Sequence, residues 1–168
     1  MSIESELLQL AREREAKSEG ALAEMLVESP DLLRRQLRDY LFRQVDSGRM
    51  KRPDEKILRL NSVQEGFRDL ACPKAEFSSG THLQFNIRFE DTQGGCLVKR
   101  FQFIYLSPAR RIKVVRIELN AEPSRDPLSV PRCHLHIGNS EAHIPFPIMD
   151  PRLILYLFCE HLERDFGS

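Results

Sequence analysis

The sequence predicts an α+β protein: N-terminal helices, a five-stranded mainly antiparallel sheet, and a C-terminal helix packed on one sheet face. Three observations carry this expectation. Leu32, Leu33, Leu37, Leu41 and Val45 recur at helical spacing. Leu83, Phe85, Ile87 and Phe89 then alternate with Gln84, Asn86, Arg88 and Glu90, the pattern of a strand with one buried face. Near the C-terminus Leu153, Ile154, Leu157, Phe158 and Leu162, widened by Leu155, Tyr156 and Cys159, form an apolar stripe broad enough to lie across a sheet.

Residues 3–28 are rich in Glu, Ala, Leu and Arg, which favour helix. Their apolar positions, Leu7, Leu10, Ala11, Ala21, Leu22, Met25 and Leu26, make a broken stripe, and Gly20 weakens its middle. Such a helix needs the rest of the chain, a partner or a second copy to stay folded. Ser29-Pro30-Asp31 restarts the helical pattern: Ser29 can cap, Pro30 suits the first helical position, and Asp31 favours the positive end of the dipole. Gly48 ends that helix, and Arg49 to Asp54 is a basic connector. The chain thus divides into a helical N-terminal segment, 1–54, and a sheet domain, 55–168. Residues 55–71 read as a short extended Ile57–Leu60 followed by a short helix after Asn61.

From residue 74 the period is two. The first strand runs through Leu83–Phe89, and Asp91-Thr92-Gln93-Gly94-Gly95 turns the chain. Leu97–Leu106 is the second strand. Ile112–Leu119 is the third, with a phase slip at Val114-Val115 that signals a bulge or burial on both faces. Ala121–Pro131, with three prolines, is a loop. Two further strands flank Gly138-Asn139-Ser140-Glu141. Asp150-Pro151 opens the last helix with a capping acid and a proline just inside it.

Length and composition fit a soluble domain able to bury a core without cross-links: 168 residues, 41% hydrophobic, 30% charged. Cys72, Cys96, Cys133 and Cys159 show no CxxC spacing, which excludes a zinc ribbon or thioredoxin motif. The longest apolar run, Leu153–Cys159, is too short for a bilayer, and the N-terminus lacks a signal-peptide pattern, so the expectation is a cytoplasmic protein without membrane contact. No glycine-rich phosphate loop, G-x-S-x-G or H-E-x-x-H is present. The net charge of zero hides asymmetry: residues 29–60 carry nine bases and five acids, and residues 92–117 carry six bases and no acid. Such regions serve as solvated faces or as surfaces for nucleic acid or an acidic partner.

Three of the five histidines fall in Cys133–Phe146, in one phase of a hairpin. Pairing Ile137 with Ala142 opposes His136 to His143, Leu135 to Ile144, and Cys133 to Phe146. The apolar residues then face inward and His134, His136 and His143 face outward together. Imidazole suits both proton transfer near neutral pH and metal ligation. With His136 and His143 as acid and base, His134 assisting, and Arg116, Arg88 and Arg111 binding phosphate, the patch could cleave RNA with no cofactor. With His134, His136 and His143 as ligands and Glu118 as an available carboxylate, it could hold a transition metal. An ordinary wet sheet face would show the same phase. His82 reads as a strand-end polar residue and His161 as a helix C-terminal one.

Arg116-Ile117-Glu118-Leu119-Asn120 followed by His134-Leu135-His136 resembles the R-Y-D-N-like segment and His- and Pro-rich region of the TumE-like bacterial toxins of toxin–antitoxin pairs. The resemblance spans residues 80–165. It departs at the Leu between Glu118 and Asn120 and at the long loop before the histidines. It implies a compact antiparallel α+β domain and a toxin or defence role with RNA as the partner. The expectation is therefore a histidine-dependent, metal-independent ribonuclease. The alternatives are a His-ligated metal site and a non-catalytic interaction subunit that docks a protein partner, or a second copy, through residues 3–28.

Overall fold

A computed structural model of the chain describes residues 3–23, 26–53 and 57–163. The elements in order are α1 (Ile3–Ala23), β1 (Leu26–Val27), α2 (Pro30–Asp46), β2 (Arg59–Gln64), β3 (Phe67–Glu76), β4 (His82–Thr92), β5 (Gly95–Leu106), β6 (Val114–Leu119), β7 (Cys133–Ile137), β8 (Ile144–Pro145) and α3 (Pro151–Tyr156). A π-helical segment, Leu157–Leu162, continues α3. The fold is α+β with an antiparallel sheet, but the sheet has eight strands in place of the expected five.

Strands β2 to β8 lie side by side in chain order, each antiparallel to the last. The two-residue β1 pairs with the start of β5, Leu26 opposite Leu97 and Val27 opposite Cys96, and β6 pairs with its end.

The extra strands lie where the sequence pattern was weakest. The helix expected after Asn61 is instead the hairpin of β2 and β3. Glu65-Gly66 makes its turn, with Gly66 at φ 76°, a region that other residues rarely adopt. Pro73 would interrupt a regular ladder, and the β3–β4 register shifts between Cys72 and Ala75, where it sits. The N-terminal helix stops short of residue 28: Leu26–Val27 is strand, and residues 24 and 25 lie outside the described residues. Residues 54–56, which include the boundary drawn at 54, lie outside them as well, as do the side chains of Ala21, Leu22, Met25 and Leu26.

Helix α2 begins as its sequence dictates. The Ser29 hydroxyl accepts a hydrogen bond from the Leu32 amide, and Pro30 occupies the first turn. Its Leu33, Leu37 and Leu41 are buried in one cluster with Phe85, Phe89, Phe103 and Ile117 of the sheet and Ile154, Leu155 and Phe158 of the C-terminal helix. Phe85 stacks on Phe103 with ring centroids 4.9 Å apart, and Phe158 lies 6.2 Å from Phe103 and 5.9 Å from Tyr105. Each such side chain contributes about 1.5–3 kcal/mol by leaving water.

The buried face of the last helix is rotated from the expected stripe: Leu153 is 53% exposed, while Ile154 and Leu155 are fully buried. No helix among the described residues is long and apolar enough to cross a membrane. Val114 and Val115 are both half-buried and the β5–β6 ladder is regular, so burial on both faces explains their phase. The bulge lies instead in β5. Lys99 has no partner there, because Arg88 pairs with Arg100 and Phe89 with Val98.

Candidate metal centre

The β6–β7 ladder sets the site. Arg116 pairs with His136, Ile117 with Leu135, and Glu118 with His134. Since side chains alternate between faces, His134 and His136 share a face with Arg116 and Glu118, while Ile117, Leu119, Leu135 and Cys133 point to the core side. The expected hairpin register is present: Leu135 pairs with Ile144, His134 with Pro145, and the Phe146 amide donates to the Cys133 carbonyl. The ladder ends one pair short of His136 and His143, and residues 138–143 form a loop.

The three rings meet edge to edge. Their centroids are 5.0 Å apart for His134 and His136, 4.7 Å for His134 and His143, and 4.8 Å for His136 and His143. One ligating nitrogen from each lies within 4.8 Å of the others. Tetrahedral zinc with bonds of about 2.0–2.1 Å holds its nitrogens roughly 3.4 Å apart, so small rotations of the rings would close the set.

The histidines lie on the expected face, but that face is not wet here: His134 is 2% and His136 4% exposed, while Ile137 and Ile144 are 40% and 43% exposed. The chain on both sides of β7 folds back over the rings. The Pro131 carbonyl lies 2.9 Å from His134 Nδ1, and the Ser140 carbonyl 3.3 Å from His136 Nδ1. Each carbonyl accepts from an Nδ1–H, which leaves Nε2 with its lone pair, the nitrogen a metal would take.

His134 therefore faces a conflict. Its Nε2 lies 3.5 Å from Glu118 Oε2, so both ring nitrogens face oxygen acceptors. A neutral imidazole has one N–H and cannot serve both. A second proton on the ring, or a cation between Nε2 and the carboxylate, resolves the contact. Glu118 is held well below the usual carboxylate range, at about 2, first by His134, with Gln102 and Arg116 adding to it. The Gln102 amide donates to Glu118 Oε1 at 2.8 Å. Burial, helped by the Arg116 guanidinium, lowers the pKa of His136 and favours the neutral ring.

The remaining candidates are dispersed. Arg116 is beside the cluster, 3.5 Å from Glu118. Arg88 donates to both carboxylate oxygens of Asp69, at 2.7 and 2.8 Å. Arg111, in the turn between β5 and β6, lines a cavity that faces the opposite side of β6 and β7. Cavities of about 550, 250 and 230 Å³ exist among the described residues, and no histidine lines any of them.

Helix α1 docks on the segment that covers His134. Glu15 accepts from the Arg132 amide, Glu19 pairs with the Arg132 guanidinium at 2.6 Å, and Arg14 donates to the Pro127 carbonyl. At its other end Ile3, Leu7 and Leu10 are 73%, 49% and 61% exposed. Nothing in the residue pattern marks the Pro131 and Ser140 carbonyls, because backbone acceptors carry no residue signature. Glu15 was missed for a related reason: its spacing on α1 is that of a solvated helix charge. Comparison with protein-family models, with curated proteins and with solved structures returns no match for this chain.

Proposed function

We propose that this protein binds one divalent transition metal ion through His134, His136 and His143, with Glu118 as the fourth ligand. The observation that carries this is the pair of acceptors around the His134 ring, Pro131 O at 2.9 Å and Glu118 Oε2 at 3.5 Å. A cation bound to Nε2 takes the place of the second ring proton that the Glu118 contact otherwise needs. Backbone carbonyls on Nδ1 orient two of the rings, as partners behind metal-bound histidines do. The nitrogen and carboxylate donors suit zinc. Burial of the site favours a role in which the ion ties β6, β7 and the 138–143 loop together, adding its binding energy to folding.

The test is a zinc titration of the full chain, competed against a chromophoric chelator, with cobalt(II) as a spectroscopic substitute. One ion per chain and the visible bands of tetrahedral cobalt are expected. Both should vanish in the His136→Ala/His143→Ala variant. Zinc binding of equal strength in that variant sinks the proposal.

A second reading keeps the histidines as a metal-independent, RNA-cleaving pair of toxin or defence type. What favours it is Arg116, cross-strand from His136, whose guanidinium would hold a phosphate. His143, on the loop and half-exposed, would open the cluster to substrate. RNA cleavage that persists in EDTA and is lost in the same double variant supports it. Cleavage unchanged in the variant excludes it.

A further inference from the structure

Behind β6 and β7, on the face away from the histidines, lies a cavity of about 550 Å³. Val115, Ile117, Leu135 and Ile137 form its sheet wall, and Phe158 and Leu162 the helical one. We infer that this cavity binds a single-chain amphiphile with an anionic head, a free long-chain carboxylate, with its tail between these walls and its head on Arg111.

Size, wall chemistry and charge converge on that ligand class. Pockets for small molecules measure about 300–1,000 Å³ and are mostly apolar with a few placed polar groups. The space opens to solvent at Ile112 and Ile137, so its apolar walls stand against water unless a hydrocarbon chain covers them. The polar groups at the site are unevenly committed. Arg110 donates to the Tyr105 hydroxyl and the Leu162 carbonyl and pairs with Glu163. Arg111 has no hydrogen-bond or ion-pair partner among the described residues, and it stands in the exposed turn at the cavity's rim. Ile112 and Ile137, 42% and 40% exposed, extend the apolar wall outward beside it. A carboxylate there gains a charge-assisted, bidentate contact with a guanidinium that has no other anion among the described residues, while the chain behind it meets mostly hydrocarbon. An uncharged chain would gain only the second part.

Dodecanoate below its micelle concentration is the probe, followed by calorimetry with the full chain and compared with dodecanol. Saturation at one dodecanoate per chain is expected, with dodecanol at least tenfold weaker. Arg111→Gln should weaken dodecanoate tenfold or more and leave dodecanol unchanged. Val115→Phe, which fills the space, should abolish both; if it fails to fold, Arg111→Gln still decides. The inference is overturned by an absence of saturable binding, or by equal dodecanoate affinity in Arg111→Gln. It is equally overturned if the chain binds anionic phosphatidylglycerol vesicles but no monomeric dodecanoate, or if a concentration-dependent dimer occupies the cavity and excludes the probe.

Discussion

Glu118 and His134 stand opposite one another in the β6–β7 ladder, with Oε2 3.5 Å from Nε2. The contact joins two neighbouring strands and holds the Glu118 carboxyl at about 2, below its ordinary 4.5. A carboxyl depressed in the folded state adds stability in full above the unfolded value and loses it as pH falls through the folded one. Glu118→Gln should therefore lower stability at pH 7 by about 1–3 kcal/mol. The gap to wild type should close between pH 4.5 and about 2. Urea denaturation in EDTA at pH 7, 4 and 3 measures both. A variant as stable as wild type at pH 7 would show that the contact is idle.

His136 titrates in the other direction of charge. Its pKa is lowered by burial first and by Arg116 next. The folded state thus resists protonation, and stability falls as pH drops below the unfolded value of about 6.5. Metal binding should weaken over the same window, because a proton competes for the ring nitrogen. In NMR titrations of the metal-free protein the His136 midpoint should lie below that of a free histidine. Arg116→Ala should move it upward. An unmoved midpoint would show that Arg116 has no part in the shift.

Glu160 links the C-terminal helix to α2. Arg49 donates to both its oxygens, at 2.9 and 2.8 Å, the Tyr40 hydroxyl donates at 3.0 Å, and the Gln44 amide at 3.3 Å. Arg49 pushes the carboxyl down to about 2. Glu160→Gln keeps the size and loses the charge, so it should cost about 1–3 kcal/mol near neutral pH. The difference should vanish as pH falls through about 2. Thermal unfolding of both proteins across pH checks this, and a constant difference down to pH 2 would assign the loss to something other than the ion pair.

Where the sequence succeeded and where it failed follows from which interactions are local. The caps of α2 and α3 act within a turn, and Ser29 and Asp150 announced them. Alternation marked Leu83–Phe89 as a strand and set the register of the histidine hairpin, since period two follows from the backbone alone. Phase does not report what covers a face. His134 and His136 are buried by carbonyls of Pro131 and Ser140, and those loops have no periodicity to read. Only the start of β2, Arg59-Leu60, was legible as extended, because its residues are mostly exposed on both faces and Arg59–Gln64 shows no alternation. β1 was missed because two residues are too few to show any.

The pairing of β1 rests on one residue of β5. Gly95 has φ 144°, and a Cβ there would stand 2.6 Å from the Val27 carbonyl oxygen. Backbone cannot yield as the end of a flexible side chain can, so any larger residue must push β1 away or distort the β4–β5 turn. Gly95→Ala combines that clash with a disfavoured backbone region and should destabilise by about 1–3 kcal/mol. Its neighbour is the control: a Cβ on Gly94 meets nothing within 4 Å. Gly94→Ala should stay within about 0.5 kcal/mol of wild type, as exposed substitutions commonly do. Hydrogen exchange adds a local readout. The amides that bond across β1 and β5 should lose protection in Gly95→Ala and keep it in Gly94→Ala. Equal stability of the two variants would mean that β1 does not depend on the close approach at Gly95.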